Sequence, residues 1–137
     1  MEVVPVKTKV IALVIASAAV LAGARPVFAH HSFSAEFDAK QPITLTGTVT
    51  KIEWANPHAW FYIDVKDESG KVTNWGLELG APNALMRLGW SRNSLKPGDV
   101  ITIEGTRAKD GSSVANARTI LLNGKRMFAG SSQSVTP

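Results

Sequence analysis

The chain has no cysteine among its 137 residues. That excludes disulfides as a source of stability, and with them thiolate metal centres, cysteine nucleophiles and a cysteine-linked lipid anchor. Histidine is scarce as well, with His30, His31 and His58 the only three. No Gly-x-Ser-x-Gly elbow, no serine spaced from a histidine and an acid in a known pattern, and no glycine-rich phosphate loop is present. No pair of carboxylates is marked for acid–base work, since Asp99 and Glu104 fall in a turn and on a strand surface. These absences argue against an enzyme. There is no internal repeat. The longest apolar run, Val10 to Ala24, spans 15 residues, short of the ~20 needed to cross a bilayer as a helix.

What is present begins with that run. Lys7 and Lys9 precede it, Arg25 and Pro26 break it, and Val27-Phe28-Ala29 closes on a small residue. This is the layout of a secretory signal peptide over residues 1–29, cleaved after Ala29. Ala22-Gly23-Ala24 offers a competing cleavage position, and no twin arginine precedes the run. Removing 1–29 takes away Lys7, Lys9, Arg25 and Glu2, so the formal charge falls from +4 to +2. That balance is too mild to suggest nucleic-acid binding. The expectation is a periplasmic protein with no membrane association after cleavage. The 108 residues that remain suffice for one small domain with its own core.

Residues 30–42 show little periodicity and read as an extended arm, with Phe33 and Phe37 available to tack it down. From Ile43 the pattern becomes strand-like: Leu45, Gly47, Val49 and Lys51 alternate with Thr44, Thr46, Thr48, Thr50 and Ile52. Trp54-Ala55-Asn56-Pro57-His58 interrupts it with a proline turn. Ala59 to Lys66 resumes as a strand with Phe61, Ile63 and Val65 on one face and Trp60, Tyr62, Asp64 and Lys66 on the other. Asp67-Glu68-Ser69-Gly70 is a hairpin turn into Val72 to Leu79, where Trp75, Leu77 and Leu79 alternate with Asn74, Gly76 and Glu78. Gly80-Ala81-Pro82-Asn83 opens a short helix that turns Leu85, Leu88 and Met86 inward and ends at Gly89. Lys96-Pro97-Gly98-Asp99 leads into a strand over Val100 to Thr106, and a last strand covers Ala115 to Leu122. Residues 43–128 are thus expected to form one domain, with 129–137 a frayed tail. The order predicts an all-β fold, a small five-stranded OB-fold-like Greek-key barrel with one short helix between strands three and four. A different small barrel or a sandwich is the runner-up.

Two groups of residues carry candidate chemistry. If His30 is the mature terminus, its α-amine and Nδ1 chelate one ion, with His31 beside them and His58 as a further nitrogen donor. Both amine and imidazole shed protons readily near neutrality, and nitrogen-rich sets suit copper or zinc. Glu36 and Asp38 are candidate oxygen donors. The second group is Trp54, Asn56, Trp60 and Tyr62, where aromatic faces and an amide fit a protein, peptide or glycan ligand on an OB-fold surface. Against that, Trp54 and Trp75 equally suit the core.

Four blocks carry a resemblance: Ala29-His30-His31-Ser32-Phe33, Glu53-Trp54-Ala55-Asn56-Pro57-His58-Ala59-Trp60, Leu79-Gly80-Ala81-Pro82-Asn83-Ala84-Leu85 and Leu95-Lys96-Pro97-Gly98-Asp99-Val100. Together they resemble a family of small exported bacterial proteins of unknown function. The resemblance spans nearly the whole mature domain. It implies a periplasmic location and one β-rich domain, and brings no activity, ligand or catalytic residue. The likeness to other exported OB-fold proteins, which serve as binding or stress-related modules, is one of fold alone.

Overall fold

The structure, a computed structural model, describes residues 33–127 and 130–131. The expected signal peptide, His30, His31, Ser32 and residues 128–129 and 132–137 therefore lie outside the described residues. Among those described, the protein is mostly β. The elements are α1 (Phe33–Glu36), β1 (Phe37–Glu53), β2 (Trp60–Lys66), β3 (Val72–Glu78), α2 (Pro82–Arg87), β4 (Val100–Ala108), β5 (Val114–Leu122) and β6 (Lys125–Arg126). They form one six-stranded sheet in the order β3-β2-β1-β4-β5-β6, antiparallel throughout that order. A further, parallel pairing joins Gly76–Glu78 of β3 to Val114–Asn116 of β5. No described helix is long and apolar enough to cross a membrane.

The alternation read in the sequence decides which side chains go in. Leu45, Val49, Phe61, Ile63, Leu77, Ile101, Ile103 and Ile120 form the buried centre, each removing apolar surface from water. The parity of β1 changes at a bulge between Val49 and Lys51. One extra residue there sends Lys51 outward and turns Ile52 against the core. Asp67 Oδ1 accepts from the backbone N–H groups of Ser69 and Lys71 and closes the β2–β3 turn.

Glycine is required at two buried strand positions by close backbone approach. A Cβ on Gly47 would lie 2.5 Å from the Asp64 carbonyl oxygen, and one on Gly105 would lie 2.1 Å from that of Asn116. At these points neighbouring strands press together.

Three expectations are corrected. The arm read as extended over residues 30–42 holds a helical turn at Phe33–Glu36 before the extended strand begins. Strand β1 starts at Phe37, which is buried and pairs with Ala108. Between Phe37 and Pro42 the pairing skips three residues of β1, so the local pattern shows no alternation. Second, Met86 and Leu88 do not pack inward: they are 52% and 37% exposed. Helix α2 ends at Arg87, one residue before its period brings Leu88 beneath Leu85. The chain turns back instead, with Trp90 N–H donating to the Leu85 carbonyl, and Trp90 and Leu95 fill that side of the core. Third, the chain is anchored past residue 129. Gly80 N–H donates to the Gly130 carbonyl and Gly130 N–H to that of Arg118, while Ser131 Oγ donates to Asn116 Oδ1 at 2.8 Å. Asn116 is a buried polar group on a core strand, and this contact satisfies it.

Candidate functional site

The β2–β3 hairpin builds the site. Its register pairs Trp60 with Glu78 and Tyr62 with Gly76. The ladder continues one step further, because Ala59 N–H donates to the Gly80 carbonyl and Leu79 N–H to that of Ala59. Side chains two apart share a face of a strand, so His58, Trp60 and Tyr62 line one face of β2 and its approach. Gly76 and Glu78 are on the same face of β3. His58 is thereby diagonal to Glu78, within reach of a cross-strand contact.

The contact is made. His58 Nδ1 lies 2.7 Å from Glu78 Oε1, and the Glu78 side chain is only 4% exposed. This carboxylate is on the outward parity of β3, yet it is buried. Its cover comes from other parts of the chain: Ala35, Glu36 and Phe37 join Trp60 and Glu78 in lining a cleft of about 600 Å³. Lys109 holds α1 in place, its Nζ donating to the Ser34 carbonyl at 2.6 Å and its N–H to that of Glu36. Burial, aided by the negative charge of Glu36, pushes the Glu78 carboxyl up from 4.5 to about 7. Desolvation disfavours the charged carboxylate, and a cation close by would restore it.

The aromatic pair lies alongside. The rings of Trp60 and Tyr62 stack at 6.5 Å between centroids and lie over Gly76, where an added Cβ would touch ring atoms of both at 3.5–3.6 Å. Tyr62 Oη donates to Glu53 Oε2 at 3.1 Å, and Lys51 pairs with the other oxygen of Glu53 while lying over the Tyr62 ring. The hydrogen bond from Lys51 holds the Glu53 carboxyl below its usual value. Burial raises the Tyr62 hydroxyl.

Of the sequence-derived candidates, His58, Trp60 and Tyr62 thus share one surface. Trp54 packs against the core and Asn56, preceding the cis Asn56–Pro57 bond, is exposed in the loop. His30 and His31 lie outside the described residues. Among the described residues no three His, Asp or Glu side chains are gathered to hold a metal ion. Glu78 is the residue that sequence reasoning passed over as a partner for His58, and the hairpin register contained the signal. Counting outward from Lys66 and Val72, the pair that closes the hairpin around residues 67–71, places position 78 opposite 60.

Comparison with curated proteins finds no match to the chain. The sequence model of a family of unknown function, DUF6152, matches residues 17–117, and the chain belongs to that family.

Proposed function

We propose that the protein is an exported periplasmic binding module that holds a copper or zinc ion through the mature N-terminal histidines His30 and His31 together with His58. The observation that carries this reading is the buried His58–Glu78 contact beneath α1. It fixes one imidazole, partly shielded, against a carboxylate that lines the same cleft as residues of α1. His31 precedes α1 by two residues, a tether of at most about 7 Å. Imidazole and amine nitrogens beside carboxylates suit Cu(II) and Zn(II). The fold that supports it is OB-fold-like. Pairing from β3 through β2, β1, β4 and β5 and back to β3 is consistent with a five-stranded barrel, with α2 between the third and fourth strands.

The test is N-terminal mass analysis of the exported chain, followed by Cu(II) and Zn(II) titration of wild type and of His30→Ala, His31→Ala and His58→Ala. Cleavage after Ala29 and loss of affinity in each variant are expected. Unchanged affinity in His58→Ala reduces the site to an N-terminal chelate, and cleavage after Ala24 removes the His30 amine from it. A second reading is supported by the stacked Trp60–Tyr62 pair beside the cleft: a metal-free module that binds a protein, peptide or glycan there. Titrations in which neither ion binds favour it.

A further inference from the structure

We propose that Glu78 is the positioning residue of His58: its carboxylate accepts the Nδ1–H and so fixes the tautomer whose Nε2 carries the lone pair for a metal ion. The metal half of this inference rests on the function proposed above; the tautomer half stands on geometry alone. A neutral imidazole has one nitrogen that donates and one that accepts. The 2.7 Å separation of Nδ1 and Oε1 falls in the range of charge-assisted hydrogen bonds. With Glu78 ionised, the proton between them belongs to Nδ1, and Nε2 is left as the acceptor. With Glu78 protonated, its O–H would donate to Nδ1 and the imidazole proton would move to Nε2, where it blocks coordination.

The contact is rigid because the backbone sets it. Trp60 pairs with Glu78 and Ala59 with Leu79, so both side chains leave strands locked on either side of the contact. Burial removes the freedom of Glu78 to swing into solvent. A carboxylate is also a demanding choice for this position, since burying an ionisable group is unfavourable unless it is paired. A glutamine or a backbone carbonyl would accept the same N–H without that penalty. What the carboxylate adds is basicity at Nε2, as in the carboxylate–histidine–metal arrangements that orient most ligating imidazoles.

Two measurements test it. Long-range ¹H–¹⁵N spectra of the metal-free exported chain, recorded at about pH 8, above the ordinary imidazole range, report which nitrogen of His58 carries the proton. Nδ1–H is expected, and Nε2–H in wild type overturns the proposal without any variant being made. Zn(II) calorimetry then compares wild type, His58→Ala, Glu78→Leu, Glu78→Gln and Glu78→Asp, with the same spectra verifying that each is folded. Glu78→Gln is expected to weaken binding about 10- to 100-fold, and Glu78→Asp, which keeps the charge, to recover part of the loss. Glu78→Leu, which can accept no N–H, binding as tightly as wild type while His58→Ala loses the ion overturns the positioning role, and Glu78→Gln doing so overturns the contribution of the charge. Wild type that takes up no Zn(II) or Cu(II) overturns the metal-binding function and the metal role of Nε2, and the tautomer still decides the Glu78 contact.

Discussion

Replacing Gly105 by alanine tests the close approach of β4 and β5. The added Cβ would lie 2.1 Å from the Asn116 carbonyl oxygen, 3.0 Å from its carbon and 3.3 Å from Ala117 Cα. All three are backbone atoms, so no side-chain rotation relieves the clash. An ordinary contact begins at 3.4 Å, so β4 and β5 must separate locally by more than 1 Å. That disrupts the ladder where Gly105 pairs with Ala117 and Thr106 with Asn116. Losing one or two hydrogen bonds at about 1 kcal/mol each, with overpacking of about 1–3 kcal/mol, gives a destabilisation of about 2–5 kcal/mol. A small domain has about 5–15 kcal/mol in all. Gly111→Ala is the comparison: its φ is +78° and nothing lies within 4 Å of the added carbon, so only the backbone conformation is penalised, at about 1–2 kcal/mol. Urea unfolding should show a much lower midpoint for Gly105→Ala at unchanged slope. Equal midpoints for the two variants refute the close-approach argument.

Stability should also vary with pH in a direction set by Glu78. The folded carboxyl keeps its proton up to about 7 and the unfolded one releases it near 4.5, so the folded state binds more protons between them. Metal-free protein therefore loses stability as pH rises through that window, by at most about 3 kcal/mol. Glu78→Gln should flatten the slope in thermal melts, and a wild-type slope of the opposite sign refutes the assignment. Ser131→Ala removes one buried partner of Asn116 and should destabilise by about 1 kcal/mol. A melting point equal to wild type would mean that the contact at the C-terminal end contributes nothing.

Much of this fold is legible in the amino-acid sequence, and the failures have a common cause. Phe61, Ile63, Leu77, Ile101 and Ile103 obey a period of two, and Asp67–Gly70 has turn chemistry that acts over four residues. Those signals are local. Lys51 and Ile52 change places because of a bulge that only the partner strand defines. Trp90 replaces Leu88 in the core because α2 stops after six residues. Phe37 is a strand residue only because Ala108 pairs with it. Glu78 follows its strand parity faithfully and is buried all the same, because α1 and the approach to β2 cover it. The face it occupies can be read from the hairpin, but the cover cannot, since it comes from residues about 40 positions earlier in the chain.

The anchoring of Gly130 and Ser131 bears on the order in which the molecule is completed. A chain emerges from its amino end, and β1 must wait for β4, whose paired residues come 52 to 71 positions later, to gain that neighbour. Strand β3 gains its second neighbour only when Val114–Asn116 has been made. Later still, the N–H of Gly80 gains the Gly130 carbonyl as partner. Until those last residues arrive, a nascent chain has its hairpin formed and its far seam open, with Leu79 and Ile120 lacking the backbone of Gly130 that covers them in the finished protein. Completion is therefore withheld until Gly130 and Ser131 have been made.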